Sequence, residues 1–133
     1  MADPKLNKKI LIIEDEESVL DVYERELKYA GFDVVTAVDS DKGYKTAVKE
    51  MPDLILLDIM LPGASGLDLL KQLKNNDKTK DIQVAMLTNL DASAVIDEGY
   101  ELGAEAYFVK SQFVPSQVSE EVKSLLGISD SSK

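Results

Sequence analysis

Four apolar runs, each closing on polar side chains, set the tightest limit on how this chain can fold. Ile10-Leu11-Ile12-Ile13 runs into Glu14-Asp15, and Leu54-Ile55-Leu56-Leu57 into Asp58. Val84-Ala85-Met86-Leu87 runs into Thr88, and Ala106-Tyr107-Phe108-Val109 into Lys110. Runs of Val, Ile and Leu without polar alternation suit strands covered on both faces. The spacing predicts strands over 9–14, 33–38, 53–58, 82–88 and 105–109. If these are parallel, every one of the closing polar groups lies at the same edge of one sheet, where open α/β sheets bind ligands.

The intervening stretches carry helical periodicity. Val19, Leu20, Tyr23, Leu27 and Ala30 make one stripe, stopped by Gly31, and Tyr44, Ala47, Val48 and Met51 make a shorter one, ended by Pro52. Leu67, Leu70 and Leu73 mark a third helix after Gly66. Ala92, Val95, Ile96 and Leu102 mark a fourth, weakened by Gly99, and Pro115 opens a fifth with Val118, Val122 and Leu125 inward. Five βα repeats with right-handed crossovers give an α/β fold. The expected architecture is a doubly wound five-stranded parallel sheet in the flavodoxin-like order 2-1-3-4-5, with helices on both faces. One domain over 8–126 accounts for the 133 residues, with 1–7 and 127–133 as flexible ends. Met1 favours a natural start, and the polar carboxyl end leaves open a piece of a longer chain.

Composition narrows the chemistry. The chain has no His and no Cys. Disulfides, thiolate nucleophiles, Ser-His-Asp triads and His- or Cys-ligated metals are all excluded. Covalent chemistry then falls to a carboxylate, hydroxyl or amine. A formal net charge of −10, from 25 acids against 15 bases with Arg25 the only Arg, opposes direct nucleic acid binding. No apolar stretch approaches the roughly 20 residues that span a bilayer, so a cytoplasmic protein is expected.

In the expected strand order Asp15 and Asp58 face each other across one strand spacing of about 4.8 Å, with Thr88 flanking Asp58. Lys110 starts about 10 Å away, and its stem can cover much of that gap. Glu14, Asp15 and Asp58 repel one another, and a divalent cation relieves this. Oxygen-only ligands favour Mg²⁺. Taken singly, Asp15 also reads as a helix N-cap, Glu14 and Lys110 as solvated groups, and Tyr107 as core. Asp58 closes a buried run, where an idle carboxylate is costly. Together they read as a metal-assisted phosphoryl site.

These residues resemble the receiver domain of bacterial response regulators, over about Lys8 to Leu126. Asp58-Ile59-Met60-Leu61-Pro62-Gly63-Ala64-Ser65-Gly66 looks like the family's phospho-acceptor loop, Glu14-Asp15 like its acidic pair, and Gly103-Ala104 like the small pair before the last strand. The resemblance implies that Asp58 accepts a phosphoryl group from a phosphohistidine on a sensor histidine kinase or phosphotransfer protein. It implies Mg²⁺ held by Asp15, Asp58 and the Met60 backbone carbonyl, with Glu14 acting through water. Lys110 would pair with the phosphoryl oxygens, Thr88 would move to bond them, and Tyr107 would turn inward as the switch. The face formed by the fourth helix, fifth strand and fifth helix would then change its affinity for a downstream protein, the chain being a monomer or weak dimer and no enzyme beyond its own phosphotransfer and autodephosphorylation.

Three departures stand out. Ser111 follows Lys110 where the family usually has Pro, often after a cis peptide; a non-proline cis bond costs about 2.5–4 kcal/mol. Asn89 occupies a usually small position. Leu90 stands where polar residues often assist hydrolysis, which predicts a long-lived phosphorylated form. Two enzyme or carrier readings compete. A haloacid-dehalogenase-like phosphatase wants a second Asp two residues after the nucleophile, where Met60 stands. A flavodoxin-like cofactor carrier wants a phosphate cradle after the first strand, where Glu14-Asp15-Glu16-Glu17 would repel it. A degenerate receiver that binds partners without phosphorylation is the remaining alternative.

Overall fold

A computed structural model describes residues 6–128; most of the two ends expected to be flexible, 1–5 and 129–133, lies outside the described residues. Five strands form: β1 (Lys9–Ile13), β2 (Asp33–Ala37), β3 (Leu54–Leu57), β4 (Gln83–Thr88) and β5 (Ala106–Val109). Five α-helices alternate with them: α1 (Glu17–Tyr29), α2 (Ser40–Glu50), α3 (Gly66–Lys74), α4 (Ser93–Glu101) and α5 (Pro115–Leu125). All pairings are parallel, and the sheet order is β2-β1-β3-β4-β5, as expected.

Alternation along the central strands divides the core in two. Ile10, Ile12, Leu54 and Leu56 meet Leu20 and Leu27 of α1 and Val118 and Val122 of α5. Leu11, Ile13, Ile55 and Leu57 meet Ala47 of α2 and Leu69, Leu70 and Leu73 of α3. This two-sided burial is why β1 and β3 read as unbroken apolar runs. β5 is a sheet edge, and its Ala106 and Tyr107 are only half-buried.

Helix ends follow local chemistry. Gly31, at φ 106, turns the chain out of α1 in a conformation that favours glycine. α2 begins at Ser40, because the Asp39 side chain caps it by accepting from Lys42 N at 2.8 Å. Asp15 does not cap α1; Glu16 holds that position without a side-chain bond.

The register corrects one expectation. Ile13 pairs with Leu57, and the Asp58 amide donates to the Ile13 carbonyl at 3.1 Å. Glu14, rather than Asp15, is therefore the backbone neighbour of Asp58, while the Asp15 carboxylate also reaches within 4.8 Å of it.

Candidate phosphoryl site

The carboxyl edge of the sheet gathers the expected groups. Glu14 follows β1 and is 2% exposed; Asp58 follows β3 and is 5% exposed. Thr88 is the last residue of β4 and is fully buried. Lys110 opens a short 3-10 turn (Lys110–Gln112) directly after β5. Asp15 is exposed at the rim, and Met60 is exposed one turn of loop beyond Asp58.

Lys110 Nζ donates to both buried acids, to Asp58 Oδ2 at 3.0 Å and to Glu14 Oε1. The stem thus crosses the gap. The direct bond to Glu14 was not anticipated, since Glu14 was expected to act on a metal-bound water. Glu14 Oε2 accepts from the Glu16 amide at 3.0 Å, and Asp58 Oδ1 accepts from the Met60 amide at 3.2 Å. Burial raises the Glu14 carboxyl above its ordinary pKa, against the lowering by Lys110 and the Glu16 amide. Burial alone would lower Lys110; its bonds to Glu14 and Asp58 outweigh that and hold it above the usual lysine value.

Carboxylate oxygens of Glu14, Asp15 and Asp58 all lie within 4.8 Å of one another. Opposite oxygens around Mg²⁺ sit about 4.2 Å apart, so a small, hard cation fits this donor set after slight closure. It would be held by Asp15 and Asp58, with Glu14 beside them.

Three further residues shape the site, and of these only Tyr23 was not singled out in the sequence as a site residue. Gly66 is one: a Cβ there would lie 2.0 Å from the Asp58 carbonyl oxygen, and its amide donates to the Ile59 carbonyl at 2.7 Å. The phospho-acceptor loop closes tightly because nothing projects at position 66. Tyr23 of α1 is the second; burial raises its phenol, and the charges of Lys110 and Glu14 act on it in opposite senses. Leu90 is the third. Its amide donates to Thr88 Oγ1 at 3.5 Å, and its carbonyl accepts from the Tyr107 hydroxyl at 2.6 Å. Tyr107 is half-buried, packed beside Gly99 of α4. Described peptide bonds, Lys110–Ser111 included, are trans.

A doubly wound sheet with this acid-and-lysine edge defines a class of phospho-acceptor signalling module. Its family model, the response regulator receiver domain, matches residues 10–123, and the chain belongs to that family. The transcriptional regulatory protein PhoP of alkaline phosphatase synthesis in Bacillus subtilis is 40% identical over 91% of this chain and 49% of its own length. The DNA-binding dual master transcriptional regulator RpaA of Synechocystis is 38% identical over 92% of this chain and 50% of its own. The chain spans about half the length of these curated relatives. A putative response regulator from Chloroflexus aurantiacus superposes with a TM-score of 0.84 at 30% identity, covering 94% of this chain and 99% of that one. The BeF3-activated N-terminal receiver domain of Klebsiella pneumoniae RstA gives a TM-score of 0.82 at 30% identity, over 89% and 97%. No helix among the described residues is long and apolar enough to cross a membrane.

Proposed function

We propose that residues 8–126 act as one phosphorylation-controlled switch whose acceptor is the Asp58 carboxylate. The observation that carries this is a carboxylate 5% exposed, bonded to Lys110 at 3.0 Å and crowded by two further acids. A carboxylate oxygen of Asp58 attacks the phosphorus of a phosphohistidine on a sensor kinase or phosphotransfer protein. The O–P bond forms, the donor N–P bond breaks, and the imidazole leaves and takes up a proton. Such transfer asks for positioning and charge neutralisation more than for protein nucleophiles or bases. Asp15, Asp58 and the Met60 carbonyl would hold Mg²⁺, with Glu14 acting through water, and the ion would supply charge neutralisation.

Lys110 is positioned to exchange Glu14 for a phosphoryl oxygen. Thr88 offers its hydroxyl once it releases the Leu90 amide, and Tyr107 reports that movement to the face of α4, β5 and α5, where a downstream protein binds. Autodephosphorylation is slow, because the Leu90 side chain cannot orient water. A cleft of about 590 Å³, lined by Val22, Tyr23, Ser111 and Phe113, adjoins Lys110. The protein acts in the cytoplasm, as a monomer or weak dimer, without touching nucleic acid itself.

Incubation with a small phosphodonor and Mg²⁺, followed by intact mass spectrometry, tests this. One phosphoryl group should appear on the wild type and none on Asp58→Asn. No adduct on the wild type would instead favour a phosphorylation-independent binding module, the reading that the Asn89 and Ser111 departures support.

A further inference from the structure

The proposed switch leaves one hydroxyl of its site idle. Along the apolar stripe of α1, Val19, Leu20 and Leu27 are aliphatic, and Tyr23 alone carries a hydrogen-bond donor. Its ring is core, in the cluster that includes Leu20, Leu27 and Phe108. A phenylalanine would pack the same ring, so packing gives no reason for the hydroxyl. Tyr23 is 6% exposed, yet its oxygen makes no hydrogen bond among the described residues. No enclosed side-chain N or O of those residues lacks a partner, so the Tyr23 oxygen is not enclosed. It opens onto the cleft that Tyr23 lines together with Lys110, Asn89 and Ser111.

Glu14 supplies the need for such a donor. It is 2% exposed, with Oε2 accepting from the Glu16 amide and Oε1 from Lys110 Nζ. Once Lys110 turns to a phosphoryl oxygen, Oε1 loses its donor, and a buried carboxylate stripped of its cation is costly. Asn89 and Ser111 are exposed, so Tyr23 is the buried donor on this cleft. The charges of Lys110 and Glu14 both act on its phenol, which sets the hydroxyl in the neighbourhood of their ion pair.

We propose that Tyr23 is a positioning residue of the phosphoryl site: its hydroxyl donates to Glu14 Oε1 when Lys110 leaves Glu14 for a phosphoryl oxygen on Asp58. The proton stays on the phenol throughout. This deepens the switch reading and rests on it. The exchange is one for one: Glu14 keeps a donor, Lys110 keeps two acceptors, and the phenol gains the acceptor it lacks at rest. A bond made in only one of two states favours that state, so Tyr23 tips the balance toward the phosphorylated arrangement.

Tyr23→Phe keeps the ring and removes the hydroxyl. Beryllofluoride in saturating Mg²⁺ serves as the phosphoryl probe, with affinity measured by calorimetry on the full chain. A hydrogen bond to a charged acceptor is worth a factor of about ten or more, so Tyr23→Phe should bind the probe about tenfold more weakly. Tyr29→Phe, on the same helix and outside the site, should bind it like wild type. In EDTA without the probe, Tyr23→Phe should melt at the wild-type temperature or slightly above, because the hydroxyl has no partner there to lose. In a Glu14→Gln background the acceptor is a neutral amide, and the loss caused by Tyr23→Phe should shrink to about twofold. Lower melting of Tyr23→Phe in EDTA would make the hydroxyl a structural group and overturn the proposal. An undiminished tenfold loss in the Glu14→Gln background would make the phosphoryl group the acceptor, and would overturn it too. Wild type that binds no beryllofluoride refutes the switch reading and the exchange together. Wild type and Tyr23→Phe binding it equally well refute the exchange alone.

Discussion

Replacing Asp58 by Asn should make the metal-free protein more stable, although it removes a buried ion-paired group. At an effective dielectric of about 20, attraction to Lys110 at 3.0 Å is worth about 5.5 kcal/mol. Repulsion from Glu14 and from Asp15, each within 4.8 Å, costs at least about 3.5 kcal/mol apiece. Asp15 is exposed, and halving its share for solvent screening leaves the Coulomb terms balanced to within about 1 kcal/mol. The sign then rests on desolvation, which costs a buried carboxylate several kcal/mol and a neutral amide much less. Asn also keeps an oxygen to accept from the Met60 amide. The expected gain is about 1–2 kcal/mol, or about 4–7 °C in Tm for a domain of this size. Thermal denaturation in EDTA, followed by circular dichroism, reads it directly. Saturating Mg²⁺ should invert the order, since a ligand at a hundredfold excess over its Kd adds about 2.7 kcal/mol to the protein that binds it. Lower melting of Asp58→Asn than wild type in EDTA would refute the crowding argument and make Lys110 the dominant partner.

Three further outcomes follow from named contacts. Gly66→Ala places a methyl group 2.0 Å from the Asp58 carbonyl oxygen; backbone must move, so stability should fall by about 3 kcal/mol or more and Asp58 phosphorylation should drop, as urea melts and mass spectrometry would show. Burial raises the Glu14 carboxyl above its ordinary 4.5; the folded state then holds the extra proton, so in EDTA Glu14 lowers stability progressively as pH rises from about 4.5 through the raised value, and Glu14→Gln should flatten that part of the pH profile in denaturant melts. Leu90→Asn should shorten the phosphorylated lifetime several-fold by giving attacking water a polar neighbour, measured as phosphate release; loss of phosphate from the wild type within seconds at room temperature would contradict the protective role given to Leu90.

The fold was legible because its strands are buried on both faces, so each is a continuous apolar run with its last polar residue marking the sheet edge. Asp58, Thr88 and Lys110 could be placed from that pattern alone. The pairing of Glu14 with Asp58 could not. Register decides which of two adjacent acids turns inward, and Glu14-Asp15 offers two plausible candidates one residue apart. Only the alignment of Ile13 with Leu57 resolves them. The part played by Tyr23, and the contact that requires glycine at 66, escaped for a related reason. A close backbone approach and a long-range charge effect depend on chain segments far apart in sequence, and neither leaves a periodic trace.

On the proposed reading, the Leu90 peptide is the link between Asp58 and α4. Its N–H is engaged by Thr88 and its C=O by Tyr107. On the switch reading proposed above, movement of the Thr88 oxygen toward a phosphoryl group on Asp58 would stretch its contact with the Leu90 amide, already 3.5 Å long. Releasing that amide loosens one end of a unit whose other end anchors the Tyr107 ring beside Gly99. The bond from Leu90 to Thr88 is long, at 3.5 Å, whereas the bond to Tyr107 is short, at 2.6 Å. The contact to Thr88 is therefore the weaker of the two. A phosphoryl group that prefers the released arrangement shifts the balance between the two states without having to create either. α4, which has no side-chain bond at its N-cap and carries Gly99 in its interior, packs against Tyr107 at the end of this link.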